Sequence, residues 1–191
     1  MQRKFSKKIK RIVVKVGTSI LAGSDLKLDA SRMKMLVEDI ANAISGGIEV
    51  VLVSSGAVVS GMSELGMKCR PQDLSCIQAI ASVGQAILMR RYSDLFKEKQ
   101  INCGQVLLTE DDFGIRKRHL NAKNTILSLL EYKAIPIINE NDVIAIDEIK
   151  EAKFGDNDNL SAMVANLVDA DLLLILSDIE GLFTADPHSH P

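Results

Sequence analysis

A lysine within an apolar segment is the first feature of this sequence that could do chemistry. Lys15 follows three β-branched residues at positions 12–14 and precedes the small residues 17–19 (GTS). A charge inside a buried strand costs several kcal/mol unless it is paired or used. Small residues behind it let backbone N–H groups approach an anion closely, as phosphate binding requires. A lysine that points outward from a strand end explains the pattern equally well.

Further polar clusters come directly after apolar runs. They are residues 54–57 (SSGA), residues 139–142 (NEND), residues 155–159 (GDNDN), and the pair Ser177 and Asp178. Serine and glycine ahead of a helical pattern place unpaired backbone N–H groups where an anion binds. Asparagine and aspartate can hold the ammonium and carboxylate groups of an amino acid, and carboxylates can help to hold Mg²⁺. Capped helix starts and Asx-rich turns are the simpler explanation of each cluster taken alone.

Several common signatures of catalysis are absent from the sequence. It has no Gly-Lys pair, which excludes a P-loop, and no GxGxxG motif after a strand, which disfavours a dinucleotide fold. No histidine lies near the serines of residues 54–57, so a Ser-His-Asp hydrolase has no support. If a nucleotide binds, another architecture must hold it.

The elements that must position these clusters are short apolar runs that alternate with amphipathic stretches. The apolar runs predict strands at residues 12–16, 49–53, 105–108, 135–138 and 172–176. Helical spacing predicts helices after Asp29, after residue 57, from Pro71 to about Lys99, at 120–133 and around 160–168. This order indicates an α/β fold, a three-layer sandwich with a mostly parallel sheet covered by helices. Ligands of such folds collect beyond the carboxyl ends of the strands, where the polar clusters fall.

Composition narrows the class of protein. Hydrophobic residues are 47% and charged residues 25% of 191 residues, which is typical of one globular domain and excludes a disordered or disulfide-stapled chain. The three cysteines have no CxxC spacing and an odd count, which indicates reduced thiols. The apolar run near the N-terminus is too short for a secretory signal, and residues 172–176 are too few to span a bilayer. These observations lead us to expect a cytoplasmic protein without membrane partners. The net charge of −2 makes a nucleic-acid partner unexpected as well.

Six motifs follow one another along the chain: residues 15–19 (KVGTS), 54–57 (SSGA), 120–122 (LNA), 138–142 (INEND), 155–158 (GDND) and 181–187 (GLFTADP). In this order they resemble the glutamate 5-kinases of the amino acid kinase superfamily. Each motif is weak alone, but the six together are specific, and they extend from about residue 11 to residue 187. The Val-Gly-Thr-Ser start and the Asn-Glu-Asn-Asp segment are similar to this family rather than to aspartate or acetylglutamate kinases.

The resemblance implies ATP-dependent phosphorylation of the glutamate γ-carboxylate, the first step of proline synthesis, with ATP and Mg²⁺. It also implies feedback inhibition by proline. Apolar surface on the helical faces is compatible with a homo-oligomer. The resemblance implies site residues with three roles, catalysis, glutamate binding and nucleotide binding. The residues for catalysis are Lys15 and Asp158, those for glutamate binding are Ser55, Asp142 and Asn157, and those for nucleotide binding are Lys15, Ser177 and Asp178.

The sequence departs from the family pattern in three places. The family's kinase domain continues further, so residues 1–191 are expected to be an amino acid kinase domain truncated at its C-terminus, without the RNA-binding-like domain of many members. Residues 151–153 (EAK) resemble a short insertion, and Lys123 stands where the family often has arginine. The alternatives left open are a non-catalytic fragment that binds glutamate or proline, and a sister kinase acting on another small acid.

Overall fold

Five parallel strands form the sheet at the centre of the computed structural model, which describes residues 8–22, 27–145 and 157–178. In chain order these strands are β1 (Arg11–Val16), β2 (Glu49–Ser54), β3 (Asn102–Leu108), β4 (Ala134–Glu140) and β5 (Leu172–Leu176). Their order across the sheet is β3-β4-β2-β1-β5, and every neighbouring pair is parallel. The predicted α/β class is therefore confirmed. Among the strands, the main difference in extent is at β3, which begins three residues before the predicted strand because its first residues are less apolar. The helix predicted at 120–133 begins four residues earlier, at Arg116, and ends at Glu131.

The helices connect and cover these strands. They are α1 (Thr18–Leu21), α2 (Ala30–Ser45), α3 (Ala57–Glu64), α4 (Leu74–Glu98), α5 (Asp111–Gly114), α6 (Arg116–Glu131) and α7 (Asp158–Leu167). Asp29 caps α2 as predicted, since its carboxylate accepts hydrogen bonds from the N–H groups of Ser31 and Arg32. The hydroxyl of Ser31 also donates to it, and these bonds hold the pKa of Asp29 below its ordinary value.

The sheet separates two apolar cores, so the molecule has three layers. Val14 of β1 belongs to the core under α2 and α4, together with Leu88 of α4. Val13 belongs to the opposite core, together with Ile126 of α6 and Val164 of α7. Side chains alternate between the faces of a strand, so residues two apart share a face. Lys15 consequently lies on the α6/α7 face of the sheet.

Helices α3 and α4 approach until their backbones touch. A methyl group at Gly84 would overlap the carbonyl oxygen of Ala57, and one at Gly61 would overlap the carbonyl oxygen of Ile80. Glycine at both positions is what permits this distance. The close packing fixes α4 against the start of α3, which directly follows β2.

Several sequence features lie outside the described residues. These are the 151–153 segment, the first two residues of the GDND motif at 155–156, and the motif at 181–187. In the described part of the chain, no helix is long and apolar enough to cross a membrane. The three cysteines form no disulfide, and burial raises the pKa of the Cys103 thiol to about 12.

Candidate functional site

The carboxyl ends of the strands bring most of the predicted site residues to one edge of the sheet. In the register of the sheet, Val16 at the end of β1 pairs with Ser54 of β2 and with Leu176 of β5. The residues that follow these strands therefore begin side by side. This is the edge at which open parallel sheets bind their ligands.

An ion pair between a buried lysine and a partly exposed aspartate forms the first part of the site. The Nζ atom of Lys15 lies 2.7 Å from Oδ1 of Asp158, the first residue of α7. Lys15 is 6% exposed, whereas the side chain of Asp158 is 40% exposed. The carboxylate offsets the cost of burying the ammonium and fixes its position. A positive charge held in place at a sheet edge can meet an anionic ligand.

Next to the pair lies a buried group of polar side chains, here called the amide cluster: Ser55, Gln85, Asn139 and Asn157. The amide nitrogen Nδ2 of Asn157 approaches Oγ of Ser55 at 3.0 Å and Oδ1 of Asn139 at 2.9 Å. It also donates to the carbonyl oxygen of Ser54 at 2.6 Å. Nδ2 of Asn139 donates in turn to Oε1 of Gln85 at 2.7 Å. The cluster joins the ends of β2 and β4 to α4 and to the residue that precedes α7.

Two helix starts add to the positive character of this edge. Gly56 has φ of 102°, a left-handed conformation that lets the chain turn from Ser55 directly into α3. Helix α7 begins at Asp158, next to Asn157 of the amide cluster. The N-terminus of a helix carries a partial positive charge and unpaired N–H groups, which favour a carboxylate or a phosphate.

The remaining predicted residues lie along the same edge but outside the amide cluster. Asp142 is half-buried in a turn after β4, where the N–H of Asn141 donates to the carbonyl oxygen of Leu108 at 2.8 Å. Ser177 and Asp178 follow β5 and are exposed, with Ser177 Oγ 3.5 Å from Asp178 Oδ1. The structure thus places all of them at the predicted edge, and their roles stay predictions.

Comparison with known proteins decides the family. Residues 10–191 match the sequence profile described as the amino acid kinase family. The chain belongs to that family. As an amino acid kinase family member it is 53% identical to a glutamate 5-kinase of Dehalococcoides mccartyi over 182 residues, which are 95% of this chain and 49% of that protein. It is also 48% identical to a glutamate 5-kinase of a Geobacter species over 191 residues, and 50% identical to one of Nitrosomonas eutropha over 190 residues. The chain spans about half the length of the curated relatives it matches.

By the resemblance drawn from the sequence, Lys123 stands where the family often has arginine, and this residue lies away from the site. Its Nζ atom is 2.7 Å from Oδ2 of Asp169, a residue between α7 and the start of β5. This is the edge of the sheet opposite to the site. The hydrogen bond and charge of Lys123 hold the pKa of Asp169 below its ordinary value. A single ammonium suffices for this pair.

Sequence reasoning missed two buried polar residues of α4 behind the site. Gln85 joins the amide cluster, and the hydroxyl of Tyr92 lies 2.9 Å from Oγ of Ser54. Burial raises the pKa of Tyr92 far above its ordinary value, so it is a neutral hydrogen-bonding group. A signal was present for Gln85, because it falls on the buried stripe of α4 at helical spacing from Ala81 and Leu88. A glutamine on an apolar stripe needs a polar partner.

Proposed function

We propose that the chain carries the amino-acid site and a phosphate-binding lysine of a glutamate 5-kinase. Such an enzyme transfers the γ-phosphoryl group of ATP to the γ-carboxylate of glutamate, and the product enters proline biosynthesis. The observation that carries the proposal is the Lys15–Asp158 ion pair, in which Nζ lies 2.7 Å from Oδ1. The pair lies beside the amide cluster, at the edge where α3 and α7 begin. The 47–53% identity to proteins named glutamate 5-kinase supports the choice of substrate.

The proposed reaction asks little covalent chemistry of the protein. An oxygen of the glutamate γ-carboxylate attacks the γ-phosphorus, the bond to the bridging oxygen breaks, and glutamyl 5-phosphate and ADP form. A carboxylate is already a nucleophile, so no general base is required. The protein must instead align two anions and offset their charge. Lys15 would contact the phosphoryl oxygens, with Asp158 holding its ammonium in place.

Glutamate would lie along the amide cluster. Ser55 and Asn157 are each 4% exposed and present a hydroxyl and an amide at the end of β2 and the start of α7. Asp142, in the turn after β4, would take the substrate ammonium. These groups recognise the ends of an amino acid, whereas the Lys15 side of the site recognises the group that reacts.

The nucleotide and its magnesium would lie at the same edge of the sheet, on the side of β5. Mg²⁺ binds through one or two carboxylates together with substrate phosphates. Asp158 at the start of α7 and Asp178 after β5 would supply carboxylate oxygens of that kind, and Ser177 would add a hydroxyl. When bound, the ion would offset negative charge on the phosphoryl oxygens.

The test is glutamate-dependent release of ADP by the 191-residue chain, supplied with ATP and magnesium. Lys15→Ala is the control, and its turnover should be lower by at least about tenfold, or about 1.4 kcal/mol of barrier. Equal rates for the two proteins would remove Lys15 from the chemistry. ADP release that does not depend on glutamate would remove glutamate as the acceptor, and a panel of small acids would then identify a sister kinase.

A second candidate function is binding of glutamate or proline without turnover. It is favoured by the contrast between the buried amide cluster and the exposed Ser177 and Asp178 on the nucleotide side. Calorimetry distinguishes the two, because heat of glutamate binding without ADP release supports a binding module. Competition by proline would place both amino acids at one site, and sedimentation of the same samples would give the oligomeric state.

A further inference from the structure

Gln85 is a buried member of the amide cluster whose orientation is fixed by its neighbours. Oδ1 of Asn139 accepts from the N–H of Glu140 at 2.9 Å and from Nδ2 of Asn157 at 2.9 Å. Two donors therefore identify that atom as the oxygen, which makes Nδ2 of Asn139 the donor toward Gln85 at 2.7 Å. Gln85 must then turn its own oxygen, Oε1, toward Asn139.

Among the residues that the structure describes, this orientation leaves the amide nitrogen of Gln85 without a partner. Nε2 is buried, and among the described residues it makes no hydrogen bond, although Gln85 is 8% exposed. An unsatisfied buried donor costs free energy, so such groups are rare in proteins. Rotating the amide would not help, because it would bring Nε2 against the donor Nδ2 of Asn139. The two N–H groups of Nε2 are thus held within the amide cluster, with no acceptor in the described part of the chain.

The position of Gln85 relative to Lys15 indicates which acceptor fits. Gln85 is anchored to Asn139 at the end of β4, whereas Lys15 belongs to β1, and β2 lies between these strands. Two strand spacings amount to roughly 9–10 Å. Asn139 also shares its face with Ile137 of the α2/α4 core, whereas Lys15 lies on the α6/α7 face. Gln85 and Lys15 therefore bracket the site from opposite sides.

Glutamate carries two carboxylates at opposite ends of a short carbon stem. The γ-carboxylate must face Lys15, where the phosphoryl group arrives. The α-carboxylate then lies toward β4 and α4. We propose that Nε2 of Gln85 donates a hydrogen bond to the α-carboxylate of the bound amino acid, which makes Gln85 a substrate-binding and specificity-determining residue. This inference rests on the proposed function.

The experiment exchanges donor and acceptor between protein and ligand. Gln85→Glu keeps an oxygen for Asn139 and replaces only the N–H groups of Nε2. Isoglutamine, the α-amide of glutamate, makes the opposite change in the ligand. Calorimetry on the 191-residue chain measures both ligands with both proteins at about pH 8, where an ordinary glutamate side chain is ionised. Gln105→Glu, the same substitution at an exposed position of β3, is the control.

The wild-type chain should prefer glutamate, and Gln85→Glu should shift the ratio of the two dissociation constants toward isoglutamine by at least about tenfold. The control should leave the ratio within about twofold of wild type. A folded Gln85→Glu protein with the wild-type ratio would overturn the role of Gln85 and leave the proposed function standing. A wild-type chain that binds no glutamate would overturn both.

If the new charge prevents folding, Gln85→Met takes its place, because methionine has a similar length and no charge. It should bind glutamate at least about tenfold more weakly than wild type, with a smaller loss for isoglutamine. Glutamate affinity within about twofold of wild type in this folded variant would also overturn the inference.

Discussion

At the scale of single residues, the Lys15–Asp158 pair contributes both to the stability of the fold and to the proposed reaction. A lysine that is 6% exposed needs a partner at all times, whether or not a ligand is present. Asp158 supplies it at 2.7 Å from the first turn of α7. The same ammonium is then held at a fixed point when an anion arrives, so little reorganisation is needed at that moment.

Asp158→Asn tests how much the pair contributes to folding. Asparagine keeps the shape of the side chain but removes the charge, so the buried ammonium of Lys15 loses its 2.7 Å partner. We expect the free energy of unfolding to fall by about 1–3 kcal/mol, below the cost for a fully buried pair because Asp158 is partly exposed. Urea unfolding measures this. Asp94→Asn, which breaks an exposed pair with Arg90, should change stability by about 0.5 kcal/mol or less. Equal effects of the two substitutions would contradict the assignment.

Helices α3 and α4 are the elements that set the spacing of the site. Ser55 directly precedes the Gly56 turn into α3, and Gln85 directly follows Gly84, the point at which α4 touches α3. The distance between the two helices therefore determines how the two halves of the amide cluster meet. A change at the contact should affect both folding and binding.

Gly84→Ala is the corresponding prediction at the scale of elements. The added methyl group overlaps the backbone oxygen of Ala57, which cannot rotate away, so the helices must separate. We expect the free energy of unfolding to fall by about 3 kcal/mol, with weaker glutamate binding in the protein that still folds. Thermal unfolding and calorimetry measure the two effects. Gly114→Ala is the matched control, because a methyl group there meets no atom within 4 Å and stability should change by about 0.5 kcal/mol or less. If Gly84→Ala changes the free energy of unfolding no more than the control does, the two helices can move apart without a loss of stability.

Periodicity along the chain predicts these elements better than it predicts their contacts. The apolar runs locate the five strands, and the polar clusters that follow them predict the edge at which Lys15, Ser55 and Asn157 gather. The hydrogen bond between Asn139 and Gln85 joins residues 54 positions apart, and the Lys123–Asp169 pair joins residues 46 apart. Such pairs depend on where whole helices pack, which local spacing does not encode. The polar residue on the α4 stripe was the one local sign of this contact.

At the scale of the whole molecule, the site lies where the two core layers meet. Lys15 comes from the α6/α7 face of the sheet, and Gln85 belongs to α4 on the other face. Asn157 connects them, since it precedes α7 and bonds to Ser55 and Asn139. Both layers must therefore pack correctly before the site is complete, although each layer has a core of its own.

Strand β5 is the outer strand on its side of the sheet in the part of the chain that the structure describes, and it leads to a prediction about association. It pairs with β1, and its residues Leu174 and Ile175 are 39% and 46% exposed. An exposed apolar strand at the edge of a sheet offers both backbone hydrogen-bonding groups and apolar surface to a second chain. We expect the chain to self-associate as its concentration rises, and Ile175→Lys should weaken this association by about tenfold.

Met35→Lys is the control, because Met35 is 60% exposed on α2, where the backbone hydrogen-bonding groups are already paired within the helix. Sedimentation velocity at several concentrations measures both variants. Equal weakening by the two substitutions would indicate general apolar attraction, whereas an effect confined to Ile175 would assign the contact to β5.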